Sequence, residues 1–198
     1  MWEEERFWLE KIINFFLSYF LLVFLCTCSP VSSIVSMAAN AGISSKGFTA
    51  SVDDSIIKAK IIGKISSLKL SNLSDITVSV SIGEVLLTGY VSNQLNRLKL
   101  IESVWAVDGV TQVYNEIKIS SSVKLAERAE DALFESRLMT RLLFKSGINS
   151  NNYSIDVVGG TVYAIGLAEN LDEKTTMEDF LSKMKDISKL VTIINIKK

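Results

Sequence analysis

The sequence predicts an α+β protein made of two sister αββαβ domains, each a small mixed three-stranded sheet covered by two helices. Three observations carry this. Residues 76–91 and 153–168 each read as a β-hairpin, two runs of alternating β-branched and aromatic residues that meet at a glycine. The tip glycines Gly83 and Gly160, and the second-strand glycines Gly89 and Gly166, are both 77 residues apart. That interval is the length of a domain and too long for a solenoid unit. Each hairpin is also preceded and followed by apolar residues at helical spacing.

The chain opens with an apolar block, Ile12 to Leu25, in which twelve of fourteen residues are apolar if Tyr19 is counted. This is short for a membrane-spanning helix, which needs about 20, and suits a secretory signal core of about 7–15. The following Leu25-Cys26-Thr27-Cys28-Ser29 resembles the lipobox of bacterial lipoproteins, with Cys28 as the lipid attachment site. Thr27 and Cys26 depart from the small residues usual there. The acidic opening Met-Trp-Glu-Glu-Glu-Arg is the reverse of a signal's basic start, which suggests translation starting nearer Lys11. Lipoprotein leader, uncleaved anchor and plain cleaved signal all remain open, and all three put the rest of the chain outside the cytoplasm. Residues 1–28 are therefore read as leader, and 29–51, rich in Ser, Ala and Gly without a sustained period, as a flexible tether.

The first domain is placed at residues 52–120. Asp53 and Asp54 suit a helix start, and Ile57, Ile61, Ile65 and Leu68 fall at the spacing of a buried stripe. After the hairpin, Ser92 or Asn93 caps a second helix whose inward face is read as Leu95, Leu98, Ile101 and Val104 or Trp105. Asp108-Gly109 stops that helix, and residues 110–119 alternate as a strand. Reaching this strand through a helical crossover makes its pairing parallel.

These residues resemble the BON domain (bacterial OsmY and nodulation), and more narrowly the tandem-BON outer-membrane lipoproteins. The resemblance rests on Asp54, on Gly83-Glu84-Val85-Leu86-Leu87-Thr88-Gly89-Tyr90-Val91, and on Gly109-Val110-Thr111-Gln112-Val113-Tyr114-Asn115-Glu116-Ile117. Gly83, Gly89, Gly109, Gly160 and Gly166 are read as structural glycines. A diverged second copy is placed at residues 124–198. Its helix starts near Lys124 and passes Asp131, with Phe134, Leu138 and Leu142 on the core stripe. Its closing motif is read as Lys189 to Ile196, an offset of 80 that implies three extra crossover residues and puts Lys189 where a glycine stood in the first copy.

Composition excludes much. There is no histidine, and both cysteines lie in the leader, so the usual general base, nucleophile pairs and zinc or iron ligands are missing. Asp172, Glu173, Glu178 and Asp179 read as a solvated helix face. The chain is expected to be no enzyme and to need no cofactor or metal. Net charge is −1, and without Glu3, Glu4, Glu5, Glu10, Arg6 and Lys11 the remainder holds 19 basic and 18 acidic residues, no basis for a nucleic-acid partner.

What the resemblance implies is a lipoprotein of the outer membrane, facing the periplasm, that binds anionic phospholipid and supports envelope integrity. An inner-membrane anchor is the alternative location, and an adaptor for envelope assembly proteins the alternative function. Beside each core stripe runs a second one, Ile56, Lys60, Lys64 and Leu133, Arg137, Arg141, again 77 apart. Each sets an apolar residue and two cations on one side of a helix. Leu133, Arg137 and Arg141 are the candidate membrane-binding residues, favoured over the first stripe because the resembling lipoproteins bind phospholipid through their second domain.

Overall fold

The computed structural model describes residues 47–68, 75–120, 122–185 and 187–197, with side chains from residue 53 onward. Asn40–Lys198 form one compact unit, which contains every element below. The first half runs α1 (Gly47–Ser67), β1 (Ile76–Ser81), β2 (Glu84–Val91), α2 (Gln94–Trp105), β3 (Gln112–Asn115) and β4 (Lys118–Ile119). The second runs α3 (Leu125–Leu143), β5 (Tyr153–Val158), β6 (Thr161–Ala168), α4 (Leu171–Ser182) and β7 (Lys189–Ile196), with a turn of 3-10 helix at Ser150–Asn152 before β5.

In each half the hairpin strands pair antiparallel and the last strand joins the second in parallel. The α+β class is thus as expected. In the first half, however, the third strand comes in two pieces, β3 and β4, each paired with β2.

Strand register overturns the offset of 80. Glu84 pairs with Gln112 and Thr161 with Lys189, so the partners on both strands are 77 apart. The crossover helices Gln94–Trp105 and Leu171–Ser182 are 12 residues each, with no insertion. Lys189 therefore matches Gln112, and the position that matches Gly109 is residue 186, outside the described residues. The misreading came from aligning Asn195 with Asn115, whereas the register puts Asn195 at the level of Lys118.

Helix α1 begins at Gly47, inside the segment read as tether, so Asp53 and Asp54 lie within the helix and no acidic residue stands in its first turn. Asp54 does other work. Its carboxylate accepts from the backbone N–H of Ile82 (2.8 Å) and Gly83 (2.9 Å) at the hairpin tip. Asp131 does the same for Gly159 (2.7 Å) and Gly160 (3.0 Å). A tight turn leaves donors without ladder partners, and a buried carboxylate delivered by the helix satisfies two at once. Each helix is thereby pinned to its own hairpin.

Asn93 caps α2, accepting from the N–H of Asn96, as Asn170 caps α4 from Glu173. The inward face of α2 departs from the expectation: Leu100 and Val104 are fully buried, while Leu95, Leu98 and Trp105 are exposed. Gly109 does not stop the helix, which ends at Trp105 with Ala106 as its C-cap. At φ +95° Gly109 lets the loop pass over α1, where an added Cβ would lie 2.8 Å from Ile57 Cδ1.

Alternation along the strands explains how the halves join. In β2, Val85, Leu87 and Val91 pack with Ile57, Ile61 and Ile65 of α1, while Leu86 and Tyr90 point the other way. In β6, Val162 and Ala164 pack with Leu138 and Leu142 of α3, while Tyr163 and Ile165 face the first sheet. The two sheets stack face to face through Leu86, Val158, Tyr163 and Ile165. The result is four layers in the order helices, sheet, sheet, helices.

Both second-strand glycines serve close approach of neighbouring backbone, and Gly89 in addition takes a special backbone angle, as a structural glycine is expected to. Gly89 adopts φ +107°, and a Cβ there would sit 1.8 Å from the carbonyl oxygen of Asp75. At Gly166 it would meet Asn152 O at 2.5 Å and Tyr153 Cδ1 at 2.4 Å. Gly89→Val and Gly166→Val are each expected to cost more than about 2 kcal/mol, since backbone must move. Gly63→Ala in α1, with nothing within 4 Å of the added Cβ, is expected to gain about 0.5–1 kcal/mol from helix propensity. Urea unfolding of the three variants checks both signs.

Candidate functional site

The second stripes on the opening helices are free surface. Ile56, Lys60 and Lys64 on α1 are all exposed, as are Leu133, Arg137 and Arg141 on α3, and neither apolar residue is covered by the other half. Arg137 Nε donates to the carbonyl of Leu133 (3.2 Å), which lays the guanidinium back along the helix. Arg141 Nη1 rests 3.4 Å from Met184 Sδ. Cys28, the lipid attachment residue read from the sequence, lies outside the described residues.

Beyond Arg141 the α3 stripe continues in a way the sequence reading missed. Phe144, the C-cap of α3, is 86% exposed and Leu143 61%. Phe144 follows Leu133 by eleven residues, about three helical turns, which returns it to the same side. The surface thus has an apolar residue at each end and two arginines between. In the first half the positions 77 earlier are Ser66 and Ser67, both polar and exposed. The signal was available: a phenylalanine off the core stripe, where the sister helix has serine.

Between the halves lies a second, buried group of polar residues. Asp156 on β5 faces the first sheet and accepts a hydrogen bond from the Thr88 hydroxyl on β2. Glu135 of α3 reaches over the sheet edge to the backbone N–H of Val157 (3.3 Å) and to Asp156. Burial pushes the Asp156 carboxyl up to about 7, aided by the neighbouring Glu135 and Asp131. Burial also raises Glu135. The two carboxyls are hydrogen-bonded neighbours, and burial favours the neutral form of Asp156 in mildly acidic solution. They border an open cleft of about 440 Å³ whose other walls include Asp75, Tyr90 and Arg128. Arg128 closes one end through a two-pronged pair with Asp75, at 2.6 and 2.7 Å. Across strand β2 from Asp75, Lys118 Nζ donates to the carbonyl of Val158 at the second hairpin (2.6 Å). Nothing in this group is arranged as nucleophile and base, and no cluster suited to a metal ion occurs among the described residues.

Residues 53–121 match the model of the BON domain, over the half in which Asp54 grips the hairpin. The chain is a BON-domain protein. It belongs to one family with an uncharacterized protein in the gshII 5' region of Anaplasma centrale, 34% identical over 147 residues, which are 74% of this chain and 96% of that one. The chain is also similar to the 21 kDa hemolysin of Actinobacillus pleuropneumoniae, at 21% identity over 73% of this chain and 74% of the hemolysin. A third relative is the outer membrane lipoprotein DolP of Haemophilus influenzae, at 22% identity over 56% of this chain and 57% of DolP.

The pair of carboxyls at the back of the BON sheet gives a pH prediction. A carboxyl whose pKa is raised on folding binds its proton more tightly in the native state. Its contribution is therefore present below the unfolded value, near 4, and lost as pH rises through about 7. Stability is expected to fall between pH 5 and pH 8, by at most about 3 kcal/mol for this one group. Asp156→Asn, which holds the neutral form, is expected to flatten the fall; urea unfolding of both proteins at the two pH values measures it.

Proposed function

We propose that this chain is a non-enzymatic envelope lipoprotein that faces the periplasm and binds anionic phospholipid surfaces through helix α3 of its second half. In this reading the second half is itself a BON domain, as its repeat of element order, register, tip-gripping aspartate and helix cap at 77 residues supports. The observation that carries the reading is the exposed stripe Leu133, Arg137, Arg141 continued by Phe144. An interfacial helix needs apolar side chains that enter the headgroup region and cations that meet phosphate, each cation contributing about 1 kcal/mol near an anionic surface. Arginine also holds a phosphate with two parallel hydrogen bonds where lysine is a point charge. The second stripe has arginine at both cation positions, the first lysine. Phe144 supplies the aromatic that Leu133 lacks.

The envelope location draws on the likeness to DolP and on the leader with its lipobox at Cys28. No helix among the described residues is long and apolar enough to cross a membrane. In this reading the lipid on Cys28 is the anchor. Support for outer-membrane integrity follows from holding the periplasmic surface of that membrane.

The fragment 40–198 contains both sheets and the helices that cover them, which makes it suitable for co-sedimentation with anionic vesicles. Leu133→Asp, Phe144→Ser and the double variant Arg137→Glu with Arg141→Glu are each expected to weaken binding about fivefold or more, and salt is expected to weaken the parent. Variants that fold and bind as the parent does would refute the role of α3. Equal fatty-acid labelling of the full chain and its Cys28→Ala variant would refute the anchor.

A further inference from the structure

The two copies serve as each other's control, because their crossover helices α2 and α4 match residue for residue at an offset of 77. On α4, Asp172, Thr175, Glu178 and Ser182 form an ordinary solvated face. The same positions on α2 are Leu95, Leu98, Ile101 and Trp105. Ile101 touches the core, but Leu95 is 57% exposed, Leu98 50% and Trp105 48%. The fold does not require this apolar face, since its twin does without it. Three large apolar side chains along one side of a 12-residue helix therefore mark a contact surface.

The hairpin beside this helical layer points the same way. Ile82 at the tip of the first hairpin has φ +48°, a left-handed conformation that a β-branched side chain adopts only under strain. The second half has Gly159 at that place. Ile82 is exposed, and with Ile56 and Lys60 it rims an open cleft of about 430 Å³. The second hairpin tip has no such freedom, because Tyr90 and Lys118 of the first half lie against Gly159.

Charge chooses the occupant. The helices of the first half carry Lys58, Lys60, Lys64, Arg97 and Lys99, against the exposed acids Asp53 and Glu102 and, in the loop after α2, Asp108. A net cationic layer bearing exposed Trp, Leu and Ile suits an anionic lipid surface, in which tryptophan settles at the headgroup level. The exposed apolar side chains suit a strongly polar partner poorly, whatever its charge. Stacking of the sheets sets its direction: the helices of the first half form one outer layer and those of the second half the opposite one.

We propose that the helical layer of the first half, centred on Leu95, Leu98 and Trp105, is a second anionic-lipid contact, turned away from α3, so that one molecule can hold two lipid surfaces. This rests on the reading of α3 for the second contact, and the experiment separates the two. Fragment 40–198 is mixed with vesicles of phosphatidylglycerol and phosphatidylcholine; binding is read by co-sedimentation and vesicle clustering by light scattering. The parent is expected to bind and to cluster. Leu98→Asp with Trp105→Asp, both exposed positions, is expected to stop clustering and weaken binding about tenfold, with an unchanged melting temperature. Leu133→Asp with Phe144→Asp is expected to do likewise. A first-half variant that binds and clusters as the parent does overturns the inference. So does a parent that elutes as a dimer which the first-half variant dissociates without loss of vesicle binding, since a second copy then covers α2. Loss of binding in the first-half variant, with full binding in the second, supports the first-half contact and overturns the role of α3.

Discussion

A three-stranded sheet has two faces, and one pair of helices can cover only one of them. Everything in this molecule follows from burying the other. Along β6 every residue is buried, on both sides of the strand, which no single helical layer could achieve. Leu86, Tyr163 and Ile165 are almost fully enclosed at the seam, and side chains of this size contribute about 1.5–3 kcal/mol each on burial. The Arg128–Asp75 pair across the same seam is partly exposed on the arginine side, and such pairs contribute about 0–1 kcal/mol. Apolar stacking therefore dominates the joint, and the polar contacts fix its register.

That constraint also fixes where the two halves can differ. Residues that face the helices stay apolar in both halves, the seam between the sheets admits a few buried polar groups such as Thr88 and Asp156, and Asp54 and Asp131 keep the same two hydrogen bonds to their turns. The outer surface is under no such restriction. There the halves differ in opposite senses: Ser66 and Ser67 are replaced by Leu143 and Phe144 on the opening helix, while Leu98 and Trp105 are replaced by Thr175 and Ser182 on the crossover helix. Loss of a shared apolar patch would leave both copies polar. Reciprocal exchange leaves one apolar patch on each half, on different helices.

Hairpins, their glycines and the 77-residue repeat were legible in the sequence because they are local: alternation and turn chemistry act over a few residues. The exposed stripes on α1 and α3 were legible for the same reason, as positions on one helix. What periodicity could not give was direction. Leu95, Leu98, Leu100 and Val104 all lie on one short helix, and two apolar sides are available to bury; only the sheet beneath selects Leu100 and Val104. Asp54 reads as a helix cap until the hairpin tip, 28 residues later, arrives beside it. In the closing strand of the second half Asn195 looks like the counterpart of Asn115 in local sequence, yet the ladder hydrogen bonds set it level with Lys118.

The buried carboxyls at the seam show what the stacking costs. Asp156 sits on the face of β5 that turns inward only because the sheets meet, and its partner Thr88 belongs to the other half. In an isolated second half that carboxyl would meet water and lose the burial that chiefly raises it, while Glu135 and Asp131 would stay beside it. The larger part of its raised pKa is thus a property of the joint and ties the stability of the stack to pH. Mild acidity therefore tightens the joint between the sheets, because the native state holds the Asp156 proton more firmly than the unfolded chain does.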